Sequence, residues 1–256
     1  MTLSKKADGI SIPAMLDEVR ITIDRLGWVD DGEKSYFDEQ RRRYEFTLSR
    51  MSAFVKPGAV VLDVGSHLLH FSMAATALGY DVRCADVPYF VNYALNHARQ
   101  KAYGISEVRA CDLASHALPY DDGTFDVLNF SEALEHLNFN PLPVIREFWR
   151  VLKPGGVAII TTPNAVRLGR RLQFLAGRNV FADLHDLCWG EPFGIHYREY
   201  TLSEVARLLE WGGFGVVASR AEYLYPDTPL RRLAKVIVGS LAPSLRGNLF
   251  VVGKKA

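Results

Sequence analysis

The chain has 256 residues, 48% hydrophobic and 23% charged, which is ordinary for a soluble globular protein and enough for one large α/β domain with additions. Its formal net charge of +1 creates no whole-molecule field that would favour nucleic acid or an anionic membrane. No apolar run approaches the length of a bilayer span, and the opening MTLSKKADGISIPAML lacks the unbroken apolar core of a signal peptide. Cys84, Cys111 and Cys188 are widely separated with no CxxC spacing, so a cytoplasmic, reducing setting is expected. Cys84 and Cys111 sit at the ends of apolar runs and read as buried strand residues.

In chain order, residues 1–54 read as a helical cap. Apolar residues recur at helical spacing over Ile12–Leu26 and again over Tyr36–Met51, with Glu39, Arg41, Arg42 and Arg43 on the wetter side. Such a cap either packs on a sheet edge or lids a cofactor. From Pro57 onward strands and helices alternate. Strands are predicted at Ala59–Val64, Asp81–Ala85, Glu107–Cys111, Phe125–Phe130 and Val157–Thr161. Helices fall at Phe71–Leu78, Val91–Tyr103 and Pro141–Leu152, the last stopped by Lys153-Pro154-Gly155-Gly156. This alternation predicts right-handed crossovers and a parallel sheet with helices on both faces. The tail changes rhythm. A helix over Leu202–Trp211, with Thr201 as N-cap and Gly212-Gly213 as its stop, leads to strands at Phe214–Ala221 and Asn248–Val252. No helix is needed between those two strands, which suits an antiparallel pair.

Residues 60–72, VVLDVGSHLLHFS, carry the first chemical signal. An apolar strand ends at Asp63, Gly65 turns the chain, and a helix pattern follows, which is where α/β proteins place a nucleotide-like ligand. Glycine at 65 bends sharply and lets a ligand approach the backbone. Asp86 ends the second strand in CADVPYF and Asp112 the third in ACDL, so Asp63, Asp86 and Asp112 follow three successive strands at one carboxyl edge. A carboxylate at 86 can accept both hydroxyls of a ribose. Asp86 and Asp112 equally suit helix or turn caps. Further on, Glu132, Glu135 and His136 have the spacing of one helical face. That set suits a divalent metal, an acid–base pair, or a loop held by hydrogen bonds.

Residues 121–164 contain FDVLNFSEALEHL and REFWRVLKPGGVAIITTPN, and residues 194–201 read GIHYREYT. With the strand–turn–helix at 60–72, these segments resemble class I S-adenosylmethionine (SAM)-dependent methyltransferases, in particular the bacterial group acting on glycans, lipids, quinones and other small molecules. The resemblance covers about residues 55–217. It implies an α/β fold with a Rossmann-like seven-stranded sheet, five parallel strands plus an antiparallel closing pair, and a methyltransferase domain over 55–256 with 164–200 as an acceptor-side insert. It implies SAM as cofactor, with Asp86 on the ribose, Asp112 on the adenine amino group, the Leu113 N–H on a ring nitrogen, and Gly65 with the backbone near Ser131 at the methionine end. Asp63 joins them as the acid of the first turn. The departure is in the glycines: G-x-G-x-G is usual, and this chain has His67 and Leu69 at the second and third positions. Side chains there would crowd the amino-acid moiety of SAM.

The expected reaction is methyl transfer to an oxygen, or a nitrogen, of a small molecule, sugar or lipid-linked glycan, with His136 or His196 as base. Some similar enzymes hold a metal through E-x-x-E-H, so Glu132, Glu135 and His136 are the alternative metal set; many others carry the pattern without one. His185 is a weaker candidate. Arg167, Arg170, Arg171 and Arg178 make the insert basic, which suits a solvated face or an anionic acceptor. The basic amphipathic run 229–241 suits packing on the sheet or peripheral contact with a membrane surface. Neither stretch interleaves aromatics as nucleic-acid binders do. Two rivals stand: a scaffold protein of the same fold whose pocket is blocked by His67 and Leu69, and an NAD enzyme, disfavoured by the lack of G-x-G-x-x-G.

Overall fold

The computed structural model describes residues 10–115, 117–225 and 242–256. The run at 229–241 therefore lies outside the described residues. Seven strands form one mixed sheet in the order β3-β2-β1-β4-β5-β7-β6. They are β1 (Val60–Val64), β2 (Asp81–Asp86), β3 (Glu107–Ala110), β4 (Phe125–Ser131), β5 (Leu152–Pro163), β6 (Gly215–Glu222) and β7 (Asn248–Lys254). The chain divides into two compact units, Met1–Asn129 with Arg150–Val157, and Phe130–Trp149 with Ala158–Ala256.

The first unit begins with α1 (Ile12–Leu26) and α2 (Asp31–Met51). Ser11 caps α1, and Gly27, at φ 107, ends it. The second helix starts five residues ahead of the expected Tyr36 because Asp30 accepts the Glu33 N–H at 2.8 Å, making the polar run DGEKS its first turn. The two helices of the expected cap, α1 and α2, fall in the same unit as β1–β3. Next come α3 (His70–Ala77), α4 (Pro88–Val91) and α5 (Ala94–Tyr103). The single helix expected over Val91–Tyr103 is broken at Asn92-Tyr93. There Asn96 Nδ2 donates to the Phe90 carbonyl at 2.9 Å and to that of His67 at 2.8 Å, so the break serves the first turn.

Parallel pairing sets the carboxyl edge. Val60 faces Asp81 through to Val64 facing Ala85, and Arg83 faces Glu107 through to Asp86 facing Ala110. The Gly65 N–H then reaches the Ala85 carbonyl at 2.9 Å and the Cys111 N–H that of Asp86 at 2.7 Å. The residues following three strands are thereby stitched together.

A buried ionic cluster ties α2, α3 and α5 together. The Glu33 Oε1 atom takes His70 Nε2 at 2.7 Å and Arg99 Nη2 at 2.8 Å, while its Oε2 takes the Val29 N–H at 2.6 Å. All three side chains are at most 2% exposed. Burial acts to raise the Glu33 carboxyl, but the His70 and Val29 hydrogen bonds and the Arg99 charge outweigh it and leave it below its ordinary value. Burial pushes His70 down, so the ring is neutral. The partners assign the proton to Nε2, donating to Glu33, and leave Nδ1 to accept from Tyr44 Oη at 3.4 Å.

The LKPGG segment was expected as a turn before a strand starting at Val157. Instead β5 begins at Leu152, since this stretch lies along the start of β4. Lys153 Nζ is 2.9 Å from both Asp126 carboxylate oxygens, and Gly156 backs onto the carbonyls of Lys153, Asp126 and Phe125.

The second unit contains most of α6 (Leu142–Val151), then α7 (Leu168–Leu175), α8 (Leu184–Trp189) and α9 (Leu202–Trp211). The insert thus holds two short helices where one was expected. Thr201 and Glu204 close a reciprocal capping box on α9. β6 and β7 pair antiparallel, from Gly215 opposite Lys254 to Glu222 opposite Asn248.

Two stability predictions follow from this packing. A Cβ at position 156 would sit 2.9 Å from the Lys153 oxygen and 3.2 Å from two further carbonyls. Gly156→Ala should therefore cost about 1–3 kcal/mol in a denaturant titration. Glu33→Ala leaves buried Arg99 without its counter-ion and should cost about 3–5 kcal/mol. A Glu33→Ala protein as stable as the parent would show that the cluster contributes no net stability.

Candidate functional site

In the first unit the turn after β1 keeps a glycine-like trace without the glycines. Gly65 has φ 72, His67 φ 48 and Leu69 φ 62. Left-handed backbone costs a non-glycine residue roughly 1–2 kcal/mol, so neighbours must over-determine the turn. They do. The His67 N–H donates to Asp86 Oδ2 at 2.6 Å, and its carbonyl accepts from Asn96. Its ring meets Phe90 edge-on at 4.5 Å and Tyr36 of α2 at 5.4 Å. Burial drives the His67 imidazole down to about 3, so it is neutral. The Leu68 carbonyl accepts from Arg99 Nη1 at 3.1 Å, and Leu69 is wholly buried. Of the two side chains expected to crowd a ligand, Leu69 is thus enclosed by the protein and His67, half-buried, lies against Phe90 and Tyr36.

The acids of this edge differ in state. Asp63 is 3% exposed and turned inward, accepting from Ser72 Oγ at 2.5 Å and Asn129 Nδ2 at 2.7 Å. Burial raises it to about 6. From there it can steady β1 and the following turn, but it does not present an oxygen to solvent. Asp86 receives the His67 N–H on one oxygen and its neighbour Val87's N–H on the other, at 2.7 Å. Burial raises it also to about 6. Each carboxylate oxygen has a second lone pair, so Asp86 can still accept hydroxyl donors. Asp112 is exposed and caps the turn Leu113–Ser115, accepting the Ala114 N–H at 2.9 Å. Leu113 opens that turn and is half-buried.

In the second unit Ser131 ends β4, half-buried. The EALEH loop does not form the expected helical face. Glu132 has φ 52, and only Leu134–His136 make a 3-10 turn. Glu132 therefore departs from Glu135 and His136, and its Oε2 accepts from Tyr225 Oη at 2.6 Å. Glu135, 1% exposed, accepts from Thr162 Oγ1 at 2.9 Å. His136 Nδ1 lies 2.9 Å from the Ile195 carbonyl, which assigns the proton to Nδ1 and leaves Nε2 as a base. Burial lowers its pKa, holding the ring neutral. The His136 and His196 rings are 4.9 Å apart at 83°. Donor atoms of Glu135, His136 and His196 lie within 4.8 Å of one another, so the loop's metal-type cluster draws on His196 and omits Glu132. His196 Nδ1 is 3.4 Å from Glu199, which also holds Arg167 and, at 3.0 Å, Arg170. Burial acts to raise Glu199, but His196 and the two arginines hold it far below the usual carboxylate range. His185 stands apart, exposed on α8.

Glu33, Arg99, Tyr36 and Glu199 were not singled out by sequence. A weak signal existed for Glu33, placed three residues after an N-cap aspartate. Arg99 and Glu199 look like solvated charges until their partners are known.

Residues 62–160 match the family described as "Methyltransferase domain". A probable S-adenosylmethionine-dependent methyltransferase of Mycolicibacterium smegmatis is 34% identical over 120 residues, covering 47% of this chain and 39% of the relative. A ubiquinone biosynthesis O-methyltransferase of Xanthomonas campestris is 31% identical over 154 residues, covering 58% of this chain and 60% of the relative. The match thus spans less than two thirds of either. The structure of a SAM-dependent methyltransferase from Aquifex aeolicus superposes with a TM-score of 0.57 at 19% identity, covering 90% of this chain and 100% of that one. Residues 62–160 thus form a methyltransferase domain similar to those of SAM-dependent methyltransferases, and the strand order and fold are those of solved SAM-dependent methyltransferases.

Proposed function

We propose that the chain binds SAM at the β1–β3 carboxyl edge and methylates an oxygen of a small molecule, with sugars and lipid-linked glycans in the same acceptor class and nitrogen as the lesser option. One observation carries the reading. Among the described residues the non-glycine positions with left-handed backbone are His67, Leu69 and Glu132. All three sit on the loops where donor and acceptor chemistry is expected, and strain of this kind persists where function requires the shape. The scaffold alternative needs His67 and Leu69 to block the cofactor; the burial of Leu69 and the contacts of the His67 ring with Tyr36 and Phe90 argue against it.

When bound, SAM supplies a methyl group already activated on a sulfonium. The protein's task is then alignment. In this reading Asp86 takes the ribose hydroxyls, Asp112 and the Leu113 N–H the adenine, and Gly65 the methionine end. Asp63 supports Gly65 from behind. Neutral His136 takes the acceptor's hydroxyl proton at Nε2, and His196 borders it. The N-terminal helices act as the cap, through Tyr36 on His67. The Xanthomonas relative's O-methyltransferase name favours a phenolic or quinol-like hydroxyl as acceptor.

A second reading rests on the Glu135, His136 and His196 donors. One carboxylate and two imidazoles suit a divalent ion, which would orient the acceptor oxygen and lower its pKa.

Calorimetric titration with SAM should show saturable, micromolar-range binding; none would leave the scaffold reading. Asp86 is held at about 6, and its ionised form is the better double acceptor, so the SAM dissociation constant should rise as pH falls from 7 to 5. Asp86→Asn should weaken binding about ten-fold and flatten that profile. With a catechol as acceptor probe, His136→Ala should lower kcat by about 10²–10⁴-fold with SAM affinity unchanged. Activity that survives chelation supports the base. Activity lost on chelation and restored by magnesium supports the metal.

A further inference from the structure

In the first unit, the turn after β1 holds a side chain that cofactor binding by backbone alone would not need. His67 sits at φ 48, a backbone that glycine adopts freely and an imidazole-bearing residue does not. Its main chain is fixed from both sides, the N–H by Asp86 Oδ2 at 2.6 Å and the carbonyl by Asn96 Nδ2 at 2.8 Å. Its ring is fixed too, edge-on to Phe90 at 4.5 Å and to Tyr36 at 5.4 Å. A phenyl ring could fill that space without the cost of desolvating two ring nitrogens, so packing alone does not account for a histidine.

The nitrogens are also unused. Among the described residues His67 hydrogen-bonds only through its main chain, and neither ring nitrogen has a partner. Enclosed polar atoms without partners occur beside it, such as Asn96 Oδ1, but the His67 nitrogens are not among them, and the ring is only half-buried. Each nitrogen therefore keeps some access from outside. Burial holds the imidazole neutral, and a neutral imidazole carries one N–H donor and one acceptor nitrogen at the same time. The end of an α-amino acid offers the complementary pair, a carboxylate that accepts and an ammonium that donates. His67 lies two positions beyond Gly65, on the turn assigned to the methionine end of SAM.

Given SAM as the cofactor, we propose that the His67 imidazole binds it directly, hydrogen-bonding the amino-acid end through its ring nitrogens. The left-handed backbone and the two aromatic neighbours set the ring's direction, and Asp86 couples the ring's placement to the ribose site through the His67 N–H. The turn thereby recognises a zwitterionic tail with a side chain, and nucleosides without that tail gain nothing from it.

The test is calorimetric titration of the full chain with SAM and with 5′-methylthioadenosine, which keeps the adenosine and the sulfur and lacks the amino-acid end. His67→Phe keeps an aromatic ring beside Tyr36 and Phe90 and removes both nitrogens. His67→Gly removes them and relieves the backbone as well, so it decides the matter should the phenylalanine variant fail to fold. Each folded variant should bind SAM at least about ten-fold more weakly, with its affinity for 5′-methylthioadenosine unchanged. SAM bound as tightly by His67→Gly as by the parent would overturn the proposal. Equal losses for the two compounds would also overturn it, because the ring would then support the fold or the adenosine half. A parent protein that binds 5′-methylthioadenosine and refuses SAM would make the ring a block. Binding of neither compound by the parent is a separate result, which removes the SAM reading and this proposal together.

Discussion

A single buried carboxylate, Glu33, organises the turn after β1. It gathers the Val29 N–H, His70 and Arg99, and Arg99 in turn holds the Leu68 carbonyl. Three helices are thereby fastened around a turn whose backbone is left-handed at two side-chain-bearing residues. Glycine would adopt that trace at little steric cost. Here the cost of His67 and Leu69 is offset by contacts that glycine could not make: an imidazole between two aromatic rings and a fully buried leucine. The turn has exchanged conformational freedom for packing, and the N-terminal helices are part of the exchange.

The EALEH loop and the segment around His196 use charge differently. His136 is kept neutral by burial and oriented by a backbone carbonyl, which leaves one nitrogen able to receive a proton. His196 is oriented from the opposite direction by a carboxylate that two arginines keep ionised. Glu199 thus serves as the joint between the histidine pair and the basic root of the insert.

Much of the fold was legible in the chain. The alternation of apolar runs with helical periods located all seven strands, and Thr201 with Gly212 bracketed α9 as expected. Boundaries slipped where a tertiary contact won. β5 begins at Leu152 because Lys153 and Gly156 lie against β4, and the helix at Val91–Tyr103 breaks where Asn96 serves the turn. Glu132 illustrates the limit for side chains. Its spacing from Glu135 and His136 suggested one face, but a left-handed residue breaks the helical period and sends it to Tyr225, 93 positions away.

By itself the sequence determined the class of fold, the carboxyl edge at which Asp86 and Asp112 stand, and the EALEH and GIHYREYT segments that supply the histidines. These follow from local periodicity and from where each strand ends. Only the tertiary structure decided that Leu69 is buried and His67 lies against Tyr36 and Phe90, that Asp63 is held by Ser72 and Asn129, and that Glu33 and Glu199 are the organising acids. Side-chain direction at a left-handed residue, and the partner of a charge, depend on elements far apart in the chain, and no local pattern encodes them.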